Sequence, residues 1–189
     1  MPQAKVLTPA ELKRVTHFAS VGRHGNRNRA LVLTSFFTGM RVGELASLRI
    51  GDVFGPRFQP LKEVILTPAQ TKGDCGRVVY LNEKARRELS RYAATLGAFE
   101  PQAPLFYSQR SRQGFTANTL CQTVNAIYRD AGIKGATSHS GRRTYITSLA
   151  DKGVAVHLLM ALAGHRHLAT TQRYIEVNPS QLSRAVELI

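Results

Sequence analysis

With 189 residues, 43% of them hydrophobic and 20% charged, the chain has the composition of one globular domain or slightly more, which excludes a disordered or fibrous protein. Its 26 Lys and Arg against 12 Asp and Glu give a formal charge of +14, an excess that calls for a polyanionic partner. Nucleic acid fits better than an anionic membrane: no apolar run approaches the roughly 20 residues that cross a bilayer, and the cations are scattered along the chain.

The first element opens at Thr8-Pro9-Ala10-Glu11. Thr8 suits an N-cap, Pro9 the first helical position, and Glu11 completes a capping box. Leu12, Val15 and Phe18 follow at helical spacing. Residues 22–29 are polar and turn-rich, so the second helix is expected from Ala30, through Phe36 and Phe37, to a stop at Gly39. Arg41 to Leu48 reads as a short helix entered directly from that turn.

The pattern then changes. Lys62 to Thr67 and Arg77 to Leu81 are rich in β-branched residues, and Pro68, Gly73, Asp74 and Gly76 between them predict a hairpin with a long tip that carries Lys72. A third strand is left open. Asn82 is placed to cap a helix with an apolar stripe of Leu89, Tyr92, Ala93 and Leu96. A Pro/Gly-rich loop over residues 97–114 precedes a helix capped by Thr116. Short helices are then expected after Arg142, over residues 154–163, around Tyr174, and over residues 180–188. Helices and strands do not alternate, so a doubly wound parallel sheet is excluded in favour of a mainly α chain with one small antiparallel hairpin, an α+β fold in a single domain over residues 1–189.

Two cysteines, Cys75 and Cys121, are too few for a disulfide framework and are read as free thiols of a reducing compartment. The residues from Met1 to Lys5 contain no apolar signal region, and a cytoplasmic, nucleoid-associated location is expected. No carboxylate cluster suits Mg²⁺, and neither a metal nor a cofactor is expected.

The chemistry concentrates in three stretches: His139-Ser140-Gly141-Arg142, Leu162-Ala163-Gly164-His165, and Thr170-Thr171-Gln172-Arg173-Tyr174. His139 and Arg142 are spaced to share one face of a helix or its entry turn. An arginine fork matches two phosphate oxygens, and a histidine can donate or accept a proton near neutral pH. A tyrosine can serve as a covalent nucleophile. Taken singly, each stretch is as consistent with packing, capping or a solvated face.

Together these stretches resemble the boxes of the tyrosine recombinase (phage-type integrase) family. The upstream Thr38-Gly39-Met40-Arg41-Val42-Gly43-Glu44-Leu45 is similar to that family's Thr-Gly-x-Arg-x-x-Glu-Leu segment, and Lys72 sits where the family carries a hairpin lysine. The resemblance covers about residues 8–178. It departs at Arg143, where His is usual before Thr144, and at Ser140-Gly141, where an acidic and an apolar residue are common.

The resemblance implies a tyrosine recombinase catalytic-domain fold and a site-specific recombinase that cleaves and rejoins DNA through a 3′-phosphotyrosyl intermediate. Arg41, His139, Arg142 and His165 would hold the scissile phosphate, Tyr174 would attack it, and Lys72 would protonate the leaving oxygen. Glu44 would buttress Arg41 and not bind metal. Double-stranded DNA is the implied partner, with a homo-oligomer on DNA, a synaptic tetramer, and accessory DNA-binding proteins. Residues 179–189, with Leu182, Val186 and Ile189 on one face of a helix, either pack on their own domain or dock as a swapped helix on a neighbouring copy. The family's N-terminal DNA-clamping domain is not seen in these residues, so either a domain cut from a longer protein or a naturally short member is expected. A type IB topoisomerase-like enzyme and a non-catalytic DNA-binding regulator stand as alternatives.

Overall fold

Thr8 caps α1 (Pro9–Ser20): its hydroxyl accepts from the Glu11 backbone, and the Glu11 carboxylate accepts from the Thr8 N–H. The computed structural model describes residues 3–72, 75–108, 113–175 and 179–187. Helix α2 (Gly25–Thr38) runs through the centre, with Ala30, Leu31, Val32, Leu33, Thr34 and Ser35 all buried. A helix buried on every side needs neighbours on every side, and α2 packs against α1, α5 (Glu83–Ala93) and α7 (Ser140–Asp151).

Helix α2 begins five residues before the expected Ala30. The polar residues that suggested a turn are instead satisfied inside the fold. Buried Arg27 donates to the Tyr107 carbonyl and the Asn28 side chain and lies over the Phe115 ring. Arg29 forms a two-pronged ion pair with Glu88 on α5, at 2.7 and 2.8 Å. Helical propensity was overridden by these tertiary partners.

The far end of α2 is where position matters most. Gly39 adopts φ +62°, a left-handed conformation, and a Cβ there would stand 2.5 Å from the Tyr145 ring. Only glycine stops the helix and admits Tyr145 this closely. The turn delivers Arg41 as the residue before α3 (Val42–Ser47). The one-turn helix α4 (Ile50–Val53) follows, too short to have been read from periodicity.

Strands β1 (Glu63–Leu66) and β2 (Arg77–Tyr80) form the expected antiparallel hairpin, with Val64 opposite Val79 facing the core and Ile65 opposite Val78 facing out. Among the described residues the sheet has two strands. A 3-10 turn (Pro68–Gln70) starts the tip. Asn82 caps α5 and Thr116 caps α6 (Ala117–Asp130), each accepting from the third residue beyond it. Leu31, Phe54, Leu89, Phe106, Leu120 and Tyr128 fill the core.

Helix α7 starts at Ser140, so Arg142 lies inside its first turn and not before it. Helix α8 (Val156–Ala163) ends at Gly164, and α9 (Leu168–Gln172) is a short turn of helix. Tyr174 lies just past α9, its N–H bonded to the Thr171 carbonyl at 3.0 Å. Helix α10 (Pro179–Val186) exposes Leu182 and Val186, while Ile189 lies outside the described residues. Among the described residues no helix is long and apolar enough to cross a membrane. Cys75 and Cys121 are both free thiols.

Candidate active site

Two glycine-terminated helices aim their last carbonyls at the same place. The Gly39 carbonyl, after α2, accepts from Arg142 Nη1 at 2.7 Å, and the Ala163 carbonyl, at the end of α8, accepts from Arg142 Nη2 at 2.7 Å. Arg142 is thereby held at 4% exposure, with no ion pair to a carboxylate among the described residues. Gly164 has φ +61°, and a Cβ there would meet the Arg77 side chain at 2.5 Å. Its carbonyl takes a hydrogen bond from Arg41 Nη2 at 3.0 Å.

Glu44 is the acid of this cluster, and it is 1% exposed. It accepts from the Arg41 backbone N–H at 2.7 Å, from Arg41 Nη1 at 2.9 Å, and from Arg77 Nε and Nη2 at 3.1 and 2.7 Å. Burial alone would raise its pKa, but the Arg77 fork and then Arg41 hold its carboxyl below the usual range. Among the described residues, no group of three His, Cys, Asp or Glu is placed to hold a metal ion.

Nη2 of Arg142 also lies 2.8 Å from His165 Nε2, and His165 Nδ1 lies 2.9 Å from the buried Thr171 hydroxyl. A guanidinium can only donate, so Nε2 accepts and the ring proton sits on Nδ1, donated to Thr171. His165 is 8% exposed. Its own burial, then the charges of Arg142, Arg41 and Arg77, push its pKa down to about 4, so the ring is neutral near neutral pH. Arg142 is itself depressed to about 10, by burial first and then by Arg41. Both shifts begin with burial, and the neighbouring guanidiniums of this cation-rich cluster add to them.

Tyr174 stacks on His165 with ring centroids 5.6 Å apart and planes 22° from parallel. The Arg143 guanidinium lies over the Tyr174 ring at 6.0 Å. A cleft of about 590 Å³ opens beside the cluster, lined by Arg41, Lys72, Arg77, Gly164 and His165 among others. Lys72 is exposed at its edge.

Of the residues singled out in the sequence, Arg41, Arg142, His165 and Tyr174 are therefore linked to one another through direct contacts or the Gly164 turn, and Lys72 shares their cleft. His139 stands apart. It is the exposed residue before α7, its N–H donates to Thr137 Oγ1 at 3.3 Å, and its ring makes no hydrogen bond among the described residues. Thr171 stands in the nucleophile box with no role of its own in the sequence reading, and Arg77 only as a cation near Lys72. Arg77 shares the core-facing side of β2 with Val79, and a cation in that register needs a buried acid, which was a readable signal.

Such a cluster can neutralise charge building on a phosphorus centre and hold an aromatic hydroxyl beside it. Residues 5–181 match the Phage integrase family. The chain is 27% identical over 183 residues to Tyrosine recombinase XerA of Pyrococcus furiosus, covering 97% of this chain and 61% of that protein. The crystal structure of XerA recombinase superposes with a TM-score of 0.75 at 28% identity, covering 98% of this chain and 66% of that one. The catalytic domain of bacteriophage HP1 integrase shares the fold, with a TM-score of 0.68 at 20% identity, covering 98% of this chain and 95% of that one. The chain thus spans about three fifths of the length of the curated relative.

Proposed function

The chain belongs to the phage integrase family, and on that premise we propose that it is a site-specific DNA recombinase catalytic domain acting through a phosphotyrosine bond. The observation that carries the reading is the convergence of Arg142, His165 and Tyr174, with Arg142 at 2.8 Å from His165 and Tyr174 stacked on it. Residues 1–189 are read as one such domain. The near-complete overlap with an isolated integrase catalytic domain supports that extent.

In this reading Arg41 and Arg142 grip the non-bridging oxygens of a DNA phosphate with the N–H groups their protein partners leave free. His139 would add to the hold from the entry of α7, and His165 would join it by exchanging its Nε2 contact with Arg142 for a proton shared with the phosphate. The Tyr174 hydroxyl oxygen bonds to phosphorus, its proton passes to water, and the bond to the 5′-oxygen breaks. Lys72 supplies the proton that the departing 5′-hydroxyl needs. Attack by the 5′-hydroxyl of a partner strand reverses these steps and releases Tyr174, with the bond energy kept throughout. Double-stranded DNA is the substrate.

Exchange between two duplexes requires more than one copy, and a synaptic tetramer on DNA fits that requirement. The exposed Leu182 and Val186 of α10 support a C-terminal helix that docks on a neighbouring copy. Accessory DNA-binding proteins and a cytoplasmic, nucleoid-associated location belong to the same reading.

The test is a nicked DNA substrate whose cleaved strand escapes after attack. The protein should accumulate as a covalent adduct, and Tyr174→Phe should abolish the adduct while retaining DNA affinity within about threefold. Adduct formation by Tyr174→Phe equal to that of the unaltered protein would overturn the assignment. Removing residues 179–189 should weaken assembly of several copies on DNA more than binding of one.

A further inference from the structure

We infer that Arg77 is a positioning residue of the proposed reaction, the tie that sets Arg41 and the His165 turn in register with the hairpin. The inference rests on the reading of this cluster as a phosphate-cleaving site. Arg77 sits at the first position of β2, with its side chain 9% exposed. One guanidinium holds two segments at once: Nε and Nη2 grip both oxygens of Glu44 at 3.1 and 2.7 Å, and Nη1 donates to the Leu162 carbonyl at 2.9 Å.

Each contact leads to a residue of the proposed chemistry. Glu44 passes the hold to Arg41, which it binds through both the backbone N–H and Nη1. Leu162 lies in the last turn of α8, two residues before Gly164, whose carbonyl Arg41 also grips. The Arg77 stem lies against Gly164 so closely that a Cβ would meet its Cδ at 2.5 Å. The next residue is His165. Lys72 belongs to the tip of the same hairpin and lines the same cleft. Arg77 therefore joins the three parts of the chain that carry Arg41, Lys72 and His165.

Arg77 touches none of the proposed reacting groups through a free N–H in this arrangement, and its planar fork is what the geometry uses. Lysine could reach Glu44 but could not span both carboxylate oxygens and the Leu162 carbonyl. The role predicts a loss in the rate of the chemical step with little loss in DNA affinity, since Arg41 and Arg142 remain present but loosely set.

The experiment compares the unaltered protein with Arg77→Gln, Arg77→Lys, Glu44→Gln and the combined Arg77→Gln/Glu44→Gln on the nicked substrate. Single-turnover adduct formation at saturating DNA, DNA affinity and thermal unfolding are measured for each. Arg77→Gln should cleave about 10- to 100-fold more slowly, Arg77→Lys should fall between it and the unaltered protein, and affinity should stay within about threefold. The combined variant should be no slower than the slower single variant, because both changes break one tie. It also removes the unpaired buried charge, so it and Arg77→Lys keep the comparison open if Arg77→Gln does not fold. A folded Arg77 variant with the unaltered rate, or a combined loss equal to the product of the single losses, overturns the inference. Failure of the unaltered protein to form any adduct overturns the underlying reading and this inference with it.

Discussion

Arg142 Nη2 lies 2.8 Å from His165 Nε2, and this contact fixes what the imidazole is before any DNA arrives. The ring is neutral, protonated on Nδ1, and tethered through that proton to Thr171 at 2.9 Å. Thr171 thus orients a proposed phosphate ligand without touching the phosphate.

Replacing Thr171 with Val keeps the shape and removes the acceptor. The variant should lose roughly tenfold or more in single-turnover cleavage with DNA affinity nearly unchanged. Nitrogen NMR of His165 should report the Nδ1-protonated ring in the unaltered protein and a mixture of ring forms in Thr171→Val. An identical tautomer and rate in both proteins would remove Thr171 from the mechanism.

Stability should fall as the solution is acidified through the range that charges His165. Unfolded, the ring titrates near its ordinary value of 6.5; folded, it is depressed to about 4. Between these values the unfolded chain binds the extra proton, so acid favours unfolding, and the contribution is fully present only above about pH 6.5. The unaltered protein should lose about 2 kcal/mol more than His165→Gln between pH 7 and pH 5. Denaturant titrations at several pH values measure the difference, and parallel profiles for the two proteins would contradict it.

Gly164→Ala combines a left-handed backbone with a Cβ directed at Arg77. The conformation alone costs about 1–2 kcal/mol for any residue with a side chain. The displaced Arg77 adds to that, so the unfolding midpoint should drop and cleavage should slow together. Gly97→Ala, with open space around its Cβ, is the control and should leave both nearly unchanged. Equal behaviour of the two variants would show that the α8–α9 turn tolerates a side chain.

A formal charge of +14 and an anion-poor cluster imply a backbone-dominated DNA contact. Affinity should fall steeply with added salt, by on the order of tenfold or more between 50 and 200 mM. Filter-binding or anisotropy titrations across that range give the slope. A flat response would place most of the binding energy elsewhere.

The helical order and the hairpin were legible because they depend on local signals: Thr8, Asn82 and Thr116 as caps, Gly39 as a stop, and β-branched runs at residues 62–67 and 77–81 with turn residues between them. The start of α2 was not, because Arg27 and Arg29 are tolerated there only through Tyr107 and Glu88, which lie far away in sequence. The boxes around Arg41, Arg142, His165 and Tyr174 pointed to residues that do meet in space. Spacing alone misjudged the neighbours of Arg142. His139, three residues away, ends outside while Arg142 turns inward to two carbonyls, and the turn before α7 that separates them has no signature in the spacing. Arg77 escaped notice as one cation among many, since its meaning comes from Glu44.

The loop between α5 and α6 divides the chain so that Arg41, Glu44 and Arg77 lie before it and Arg142, His165 and Tyr174 after it. The bond from Arg142 to the Gly39 carbonyl crosses that divide, as do those from Arg41 to Gly164 and from Arg77 to Leu162. The site is therefore a seam between two halves of one polypeptide, and neither half contains a usable portion of it. Two fragments split at that loop would each be silent alone, and any cleavage recovered on mixing them would report directly on the docking of one half to the other.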